Sequence, residues 1–429
     1  MDPFEITIDR LANNGRGIGT APDGKKTFVN AAVPGDRLEV RAETEKPRFR
    51  EASIVRVVNP SPDRIPSDCP YTEECGGCAF RQMTYAAELE AKADFVRDAF
   101  TRIGGFTPDI SPIVPSPLTE AYRNKAEFAV DGTAAGFLAE RSHRVIPIQS
   151  CRAVPPEFIA IKDRLAELGT MKAIVLRKSG LTGEIMAVVV TEDETLPREN
   201  EFAAAVREAL PEVTTLIHNI NRKPGGQVLG ERCRTLYGPG FIRDRIRNVP
   251  VELGPLSFFQ VNTPAAELLY GLAAEYAALR PGETLLDLYC GMGTIGLSMA
   301  SAGTKLIGVE IIPEAVRSAE RNAAAMGIRD ARFLCGDAGR AASRLIREGL
   351  RPDVIVVDPP RKGCSPETVT AIRALAPQRI VMVSCDPATA ARDAKALGYA
   401  PVHATPVDLF PRTRHVETVV LMEKPADIA

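Results

Sequence analysis

The sequence has 429 residues, with 53 Lys and Arg against 55 Asp and Glu and a formal net charge of −2. This length exceeds one ordinary domain. The balanced charge excludes a protein that binds nucleic acid through a large net positive charge, so any RNA contact must come from local basic clusters. The nine cysteines are too few and too uneven for a disulfide scaffold. No run of about 18 apolar residues occurs, so no transmembrane helix is predicted. Because the segment MDPFEITIDR is acidic and lacks a signal-peptide core, we expect a cytoplasmic protein, and we expect it to be a monomer.

Residues 1–60 contain short segments with alternating apolar positions, separated by glycine turns. Such alternation is typical of half-buried strands. Gly15, Gly17 and Gly19 lie where tight turns favour glycine. The pattern predicts a small five-stranded barrel, a fold that binds RNA in some proteins and only mediates packing in others.

Residues 61–250 are interpreted as a mixed α+β central domain that follows a proline-rich linker at 59–66. A cysteine-bearing loop at 67–80 precedes a predicted helix at 84–104. This helix belongs either with the central domain or with the domain that follows. Further along, the segments IVLRK, GEIMAVVV and TLIHNI are strand-like, and the helix-like segment FAAAVREAL lies between the second and the third of them.

Three cysteines of loop 67–80 have the spacing Cys69-x5-Cys75-x2-Cys78, and Cys151 supplies a plausible fourth thiolate. Ligation by cysteine alone fits either a structural zinc ion or a [4Fe–4S] cluster. Zinc ribbons usually carry two short-spaced pairs, so a triplet with one distant cysteine favours the cluster.

Residues 251–429 alternate between short apolar strands and helical segments, which predicts a doubly wound α/β domain with a mostly parallel sheet. The final strand follows a loop rather than a helix, so we expect it to run antiparallel. The four strand segments that define the alternation are TLLDLYC, KLIGVE, DVIVVD and RIVMVSC.

The first of these strands leads into the glycine-rich loop DLYCGMGTIG at 287–296, in which Gly291 lets the backbone approach a ligand closely. The second strand ends at Glu310, a carboxylate placed to accept two ribose hydroxyl groups. Tyr289 and Asp337 are predicted to line the same pocket. A dinucleotide enzyme has a similar layout, but no second nucleotide-binding half follows, which favours S-adenosylmethionine over NAD.

Two more strands end in polar segments, DPPRKG at 358–363 and SCDPAT at 384–389. A lone cysteine at a strand end is usually a small buried hydrophobe. Here the Asp-Pro that follows Cys385 turns the chain and places the thiol at the strand end. Both segments are expected on the face that carries the glycine loop.

The residue after Pro-Pro distinguishes two kinds of methyl transfer. Amino-methylating enzymes commonly carry an aromatic residue there, which stacks on a base, whereas this sequence has Arg361. Carbon 5 of uracil is a poor nucleophile and needs a thiolate to add at carbon 6 first. A cysteine without the aromatic residue therefore favours uracil over an exocyclic amine.

Together these segments resemble the signature of the RNA 5-methyluridine methyltransferases, and the likeness extends over nearly the whole chain. The N-terminal barrel is similar to the TRAM domain of that family. The motifs that carry the resemblance are FFQVN at 258–262, DPPRKG at 358–363, SCDPAT at 384–389 and HVETVVL at 415–421.

The resemblance implies roles for individual residues. Cys385 would be the nucleophile and Glu417 the base that removes the carbon 5 proton. Many family members have Asn where Thr294 stands, so its cofactor contact is the least secure. The other cofactor positions implied are Gln260, Tyr289, Glu310 and Asp358, and the iron–sulfur ligands implied are Cys69, Cys75, Cys78 and Cys151.

The expected partner is RNA with a flipped-out uridine in a loop or single-stranded region. The barrel together with the four cysteines favours 23S ribosomal RNA, with transfer RNA as the alternative and a catalytically silent iron–sulfur RNA-binding protein as a more distant one. The better phosphate-binding candidates are Arg361, Lys362, Arg412 and Arg414, and the weaker ones are Arg141, Arg144, Arg222, Lys223, Arg243 and Arg245.

Overall fold

The computed structural model of the protein describes residues 2–140, 142–223, 227–301 and 303–424. Arg141, one of the weaker phosphate-binding candidates, lies outside these ranges. None of the described helices combines the length and the apolar character that crossing a bilayer requires.

The N-terminal strands form a closed barrel, which confirms the predicted fold of this region. Alternate side chains of the strands point inward and build its core, which includes Ile8, Val29 and Leu38. The strand order is β1-β2-β3-β5-β4, and β4 pairs with β1 to close the barrel. The strands are β1 Phe4–Leu11, β2 Gly17–Thr20, β3 Lys26–Val29, β4 Arg37–Glu45 and β5 Phe49–Asn59.

A long helix, α1 (Tyr85–Ala99), follows the cysteine-bearing loop and begins where the Thr84 hydroxyl accepts a hydrogen bond from the Ala87 amide. It continues into a π-helical turn at Phe100–Gly104 and a short strand, β6 (Asp109–Ile110). Phe100 packs in the core of the C-terminal domain, and β6 pairs with the edge of the C-terminal sheet. The helix therefore packs on the C-terminal domain.

The central region is built on a seven-stranded sheet of order β13-β12-β11-β10-β7-β8-β9. Two helices, α2 (Glu157–Leu168) and α3 (Glu199–Ala209), cover one face. The strands are β7 Lys125–Asp131, β8 Ala134–Leu138, β9 Val145–Pro147, β10 Ala173–Lys178, β11 Ile185–Thr191, β12 Val213–Ile220 and β13 Arg232–Tyr237. A separate hairpin, β14 Ile242–Ile246 with β15 Val249–Leu253, leads into the C-terminal domain.

The C-terminal domain has an eight-stranded sheet of order β18-β17-β16-β19-β20-β22-β21-β6. Its strands are β16 Thr284–Leu288, β17 Lys305–Glu310, β18 Ala331–Cys335, β19 Val354–Val357, β20 Arg379–Ser384, β21 Ala400–Val407 and β22 Glu417–Glu423. Its helices are α4 Thr263–Ala277, α5 Thr294–Met299, α6 Pro313–Ala325, α7 Ala338–Arg347, α8 Pro366–Leu375 and α9 Pro387–Leu397.

The predicted doubly wound sheet is confirmed, because helices cover both of its faces and form two separate apolar cores. The strand order reverses between β16 and β19, and in open sheets of this kind ligands bind at such a switch point. The last strand, β22, is antiparallel to β20, as expected. It pairs on its other side with β21, a strand that the sequence pattern does not predict.

Candidate active site

A large cavity of about 1280 Å³ opens at the carboxyl ends of the parallel strands. It brings together the predicted cofactor residues and both predicted catalytic residues, which come from separate segments of the chain. The predicted residues that line it are Gln260, Tyr289, Gly291, Thr294, Glu310, Asp337, Asp358, Cys385 and Glu417.

The floor of the cofactor half is the glycine-rich loop after β16. Its backbone alternates into the left-handed region, with φ of 66° at Tyr289, 54° at Gly291 and 76° at Gly293. Glycine adopts this conformation freely, whereas for a tyrosine it is strained and persists only where the surroundings hold it. The Tyr289 hydroxyl lies 3.1 Å from the Thr368 hydroxyl, which fixes the ring against the cavity wall.

Glu310 ends β17 beside this loop and organises it. One carboxylate oxygen accepts a hydrogen bond from the Gly291 amide at 3.1 Å, and the other accepts one from the Ile312 amide at 2.9 Å. Since each carboxylate oxygen can accept a second hydrogen bond, both remain able to bind the two hydroxyl groups of a ribose. The predicted role of Glu310 fits this geometry.

The cofactor wall also carries buried polar side chains, among them Gln260, Tyr270 and Thr294. The Tyr270 hydroxyl lies 3.2 Å from that of Thr294, and Gln260 is held through its backbone oxygen by the Asn124 side chain at 2.9 Å. Asp287 is buried behind the loop, and one of its oxygens has no hydrogen-bond partner among the described residues. Asp337, by contrast, is exposed, and its carboxylate caps α7 by accepting a hydrogen bond from the Arg340 amide.

The strand pairing places Cys385 next to Glu417. In the antiparallel ladder of β20 and β22, Ser384 pairs with Thr418. Continuing that register by one residue sets Cys385 opposite Glu417, and directly opposed residues of an antiparallel pair share one face of the sheet. Two residues distant in sequence thus lie side by side at the end of β20.

The thiol of Cys385 is half-buried, and its surroundings pull its pKa in opposite directions. Burial and the negative charges of Glu417 and Asp358 raise the pKa to about 11, while the charge of Arg361 and its hydrogen bond to the sulfur oppose that rise. Only the thiolate is nucleophilic. Arg361 is therefore the neighbour that favours the reactive form.

Glu417 is 5% exposed, and burial followed by the charge of Asp358 raises its pKa to about 8, against the opposing charge of Arg361. Burial also raises the pKa of Asp358 to about 7. A carboxylate with a pKa near the working pH can both accept and release a proton. The position and the pKa of Glu417 suit a general base.

A buried ionic network holds the loop that leads to Glu417. Lys92 of α1 is completely buried and donates hydrogen bonds to Glu88 and to Asp408, both at 2.7 Å. Glu88 also accepts a hydrogen bond from the Arg412 amide at 2.7 Å. The Arg412 guanidinium donates to the Met83 backbone oxygen, so this predicted phosphate-binding residue is used inside the protein.

The cavity is also lined by residues to which the sequence analysis gave no role, among them Arg123, Phe410 and His415. Arg123 precedes the central sheet, and its guanidinium lies 6.0 Å from the centre of the Phe410 ring. Burial and nearby cationic side chains lower the pKa of His415 to about 4, so its ring is neutral at pH 7. Arg123 and Phe410 lie outside the motifs named above, whereas His415 is the first residue of the motif HVETVVL, and only folding brings Arg123 to the cavity.

Comparison with known proteins identifies the family. Residues 247–425 match the model of the tRNA (Uracil-5-)-methyltransferase family, and residues 3–55 match that of the TRAM domain. RNA methyltransferases of Halalkalibacterium halodurans and Caldanaerobacter subterraneus are 36% and 35% identical to the chain. These alignments cover 98% and 99% of this chain and 97% and 98% of the relatives. The chain belongs to the RNA uracil-5-methyltransferase family.

A solved structure extends this likeness to the whole fold. The tRNA (uracil-54, C5)-methyltransferase of Pyrococcus abyssi, in complex with S-adenosyl-L-homocysteine, superposes with a TM-score of 0.79 at 29% identity. The superposition covers 98% of this chain and 99% of the other. As a member of this family, the protein with the present sequence uses S-adenosylmethionine as its methyl donor, and its substrate is RNA.

The four cysteines of the methyltransferase's predicted metal site gather beside the central sheet. Cys75 forms a β-bridge with Ala139, and Cys75 and Cys151 pack against one apolar cluster around Ile146. The thiol of Cys78 interacts with the guanidinium of Arg81, which also donates a hydrogen bond to Asp68 at 2.9 Å.

The thiols lie close enough together for their charges to matter. Burial and the charges of Cys78, Cys151 and Cys69 raise the pKa of the Cys75 thiol. Within the described ranges, however, no group of three or more His, Cys, Asp or Glu side chains is arranged so that it could hold a metal ion. The donor set fits an all-thiolate centre in chemistry, and the four side chains would need to draw closer around it.

Proposed function

We propose that the enzyme methylates carbon 5 of a uridine in RNA through a covalent adduct between the Cys385 sulfur and carbon 6 of the uracil. The observation that carries the proposal is the register that sets Cys385 opposite Glu417 inside the cavity that also contains Glu310. A nucleophile, a base and the cofactor site thus border one space.

The proposed chemistry assigns one task to each residue. The Cys385 thiolate adds to carbon 6, and the resulting enolate of the uracil forms a bond from carbon 5 to the methyl group as the bond from that group to the donor sulfur breaks. The Glu417 carboxylate then takes the proton from carbon 5. The electrons of that C–H bond restore the 5,6 double bond and expel the Cys385 thiolate.

Arg361 supports two of these steps. Its hydrogen bond and positive charge favour the Cys385 thiolate, and its charge also favours the ionised form of Glu417. An aromatic residue at this position could do neither.

The proposed substrate is 23S ribosomal RNA. The N-terminal barrel and the four cysteines support this choice through the family resemblance. Transfer RNA is the second candidate, and the specific observation in its favour is the likeness to the Pyrococcus abyssi enzyme, which acts on tRNA and aligns along its full length.

Trapping with 5-fluorouridine tests both the mechanism and the substrate. Transcripts of 23S ribosomal RNA and of transfer RNAs that contain 5-fluorouridine are incubated with enzyme and S-adenosylmethionine, because fluorine at carbon 5 blocks proton removal and preserves the adduct. We expect a denaturation-resistant complex with ribosomal transcripts. A complex with transfer RNA alone would favour the second candidate, and no complex with either would contradict the covalent mechanism.

We also propose that Cys69, Cys75, Cys78 and Cys151 hold a [4Fe–4S] cluster. The charges of the other three thiols act on Cys75, and Arg81 supplies a positive charge beside Cys78. Anaerobically purified enzyme should be brown and contain about four iron and four sulfide per chain. A colourless enzyme with one zinc ion would refute the cluster.

A further inference from the structure

A second, smaller cavity of about 190 Å³ lies where the barrel, α1 and the catalytic loops meet. It shares Arg361, Cys385 and His415 with the large cavity, so it reaches the nucleophile from the barrel side. The other residues that line the smaller cavity do not line the large one. They are Asn13, Phe95, Asp386, Pro387, Arg414 and Val416.

The barrel contributes Asn13 through a tightly fixed turn. Gly15 has a φ of 84° and donates a hydrogen bond to the Ala12 oxygen at 2.8 Å, which closes the turn. A side chain at position 15 would meet Ala79 at 3.2 Å and Arg414 at 3.5 Å, so the turn packs directly on the cysteine-bearing loop and the catalytic loop. Asn13 is therefore presented to the cavity by a rigid support.

Two polar groups of this cavity, those of Asn13 and Arg414, are free to bind a ligand, whereas the Arg361 side chain already donates a hydrogen bond to the Cys385 sulfur. In the described part of the chain, the Asn13 amide makes no hydrogen bond, and neither Arg361 nor Arg414 forms an ion pair with a carboxylate. Asp386, the carboxylate on the wall, is used at the start of α9, where it accepts a hydrogen bond from the Thr389 amide at 2.8 Å. Among the described residues, the cavity therefore offers one cation without an ion pair or a catalytic partner, Arg414, and one free amide, that of Asn13.

We propose that this cavity is a flanking subsite that binds the nucleotide adjacent to the target uridine, with its phosphate on Arg414 and its base edge on Asn13. The inference rests on the proposed function, because a uracil attacked by Cys385 occupies the large cavity beside the methyl donor. The next nucleotide is attached by a phosphodiester and must leave close to Cys385. The flanking subsite lies there and carries the matching charge.

Arg414 and Asn13 would recognise different features of the flanking nucleotide. A phosphate contact by arginine adds affinity without sequence information, whereas an amide that both donates and accepts can distinguish bases. The flanking subsite thus makes the barrel part of substrate selection.

The test uses the 5-fluorouridine transcript that the wild-type enzyme traps. The half-saturating RNA concentration for adduct formation is measured over a series of salt concentrations for the wild type, Arg414→Ala and Asn13→Ala. We expect Arg414→Ala to raise this concentration about tenfold and to reduce the slope of log affinity against log salt by about 0.7, the value for one phosphate of a single strand. Asn13→Ala should retain the slope and lose about tenfold in discrimination between transcripts that differ at the flanking nucleotide.

The control is Arg48→Ala, which removes an exposed barrel arginine outside both cavities and should match the wild type. Binding of S-adenosyl-L-homocysteine to each variant verifies that it is folded. An unchanged salt slope for Arg414→Ala, or an equal loss for Arg48→Ala, would overturn the subsite while leaving the proposed function intact. A wild-type enzyme that traps no RNA would overturn both.

Discussion

Cys385 and the cysteines of loop 67–80 are the same residue type in two different environments. Cys385 stands alone at the end of β20, with a carboxylate and a guanidinium as its ionisable neighbours. Cys75 has three other thiols around it. The first environment can move protons and stabilise a thiolate that attacks carbon, and the second can share its sulfurs with a metal centre.

This difference shows that the neighbours of a cysteine, rather than its exposure, indicate its chemistry. Cys385, Cys75 and Cys78 are all half-buried. Burial raises the pKa of each of their thiols. The thiols differ in the charged groups that surround them, and four experiments test that difference.

The largest effect is expected from Cys385→Ala. Without the thiolate, no adduct can form at carbon 6 and carbon 5 remains too weak a nucleophile, so methyl transfer and 5-fluorouridine trapping should both be abolished. Binding of S-adenosyl-L-homocysteine, measured by calorimetry, should be retained. The matched control is Cys335→Ala, which removes an exposed cysteine outside the cavity. Methyl transfer by the Cys385 variant would refute its role as nucleophile.

Glu417→Gln should slow turnover by about 10²- to 10⁴-fold, the usual contribution of a general base. Because the thiolate still adds and the methyl group is still transferred, an adduct with ordinary uridine RNA should accumulate on denaturing gels. Glu423→Gln changes an exposed glutamate on the same strand and should behave like the wild type. If the Glu417 variant turns over without accumulating adduct, another group removes the proton.

The pH dependence separates the base from the nucleophile. Glu417 must be ionised to accept a proton, and turnover also needs the Cys385 thiolate, so with the pKa of Glu417 raised to about 8 the turnover rate should rise more steeply with pH below pH 8 than above it. Trapping of 5-fluorouridine needs the thiolate but no proton removal by Glu417, and with the pKa of Cys385 at about 11 its rate should rise with the same slope below and above pH 8. Single-turnover rates from pH 6 to 9 measure both. Identical profiles would contradict the separate roles.

The smallest effect is expected from Cys75→Ser on cofactor binding. Neither the three cysteines of loop 67–80 nor Cys151 lines the large cavity, so the dissociation constant of S-adenosyl-L-homocysteine should stay at the wild-type value while the iron content falls. Cys233→Ser, an exposed cysteine of the central sheet, serves as the comparison for iron content. Loss of cofactor binding in the Cys75 variant would show that the loop and the cofactor site depend on each other.

Much of the fold could be predicted because its signals are local. Alternating apolar positions indicate the barrel strands, and the alternation of strands and helices indicates the doubly wound sheet. The strand β21 was not predicted, since its sequence APVHATPV contains two prolines and no clear alternation. It forms because β22 and β6 lie on either side of it in the folded sheet.

The sequence by itself determined the glycine loop, the acidic strand end at Glu310 and the cysteine followed by Asp-Pro, because each depends on residues adjacent in the chain. The folded structure adds that Glu417 lies opposite Cys385, that Arg412 is used internally and that Asn13 of the barrel lines one cavity together with Cys385. Those relations depend on strand register and on the packing of separate domains. Long-range pairing of this kind leaves no local pattern in a sequence.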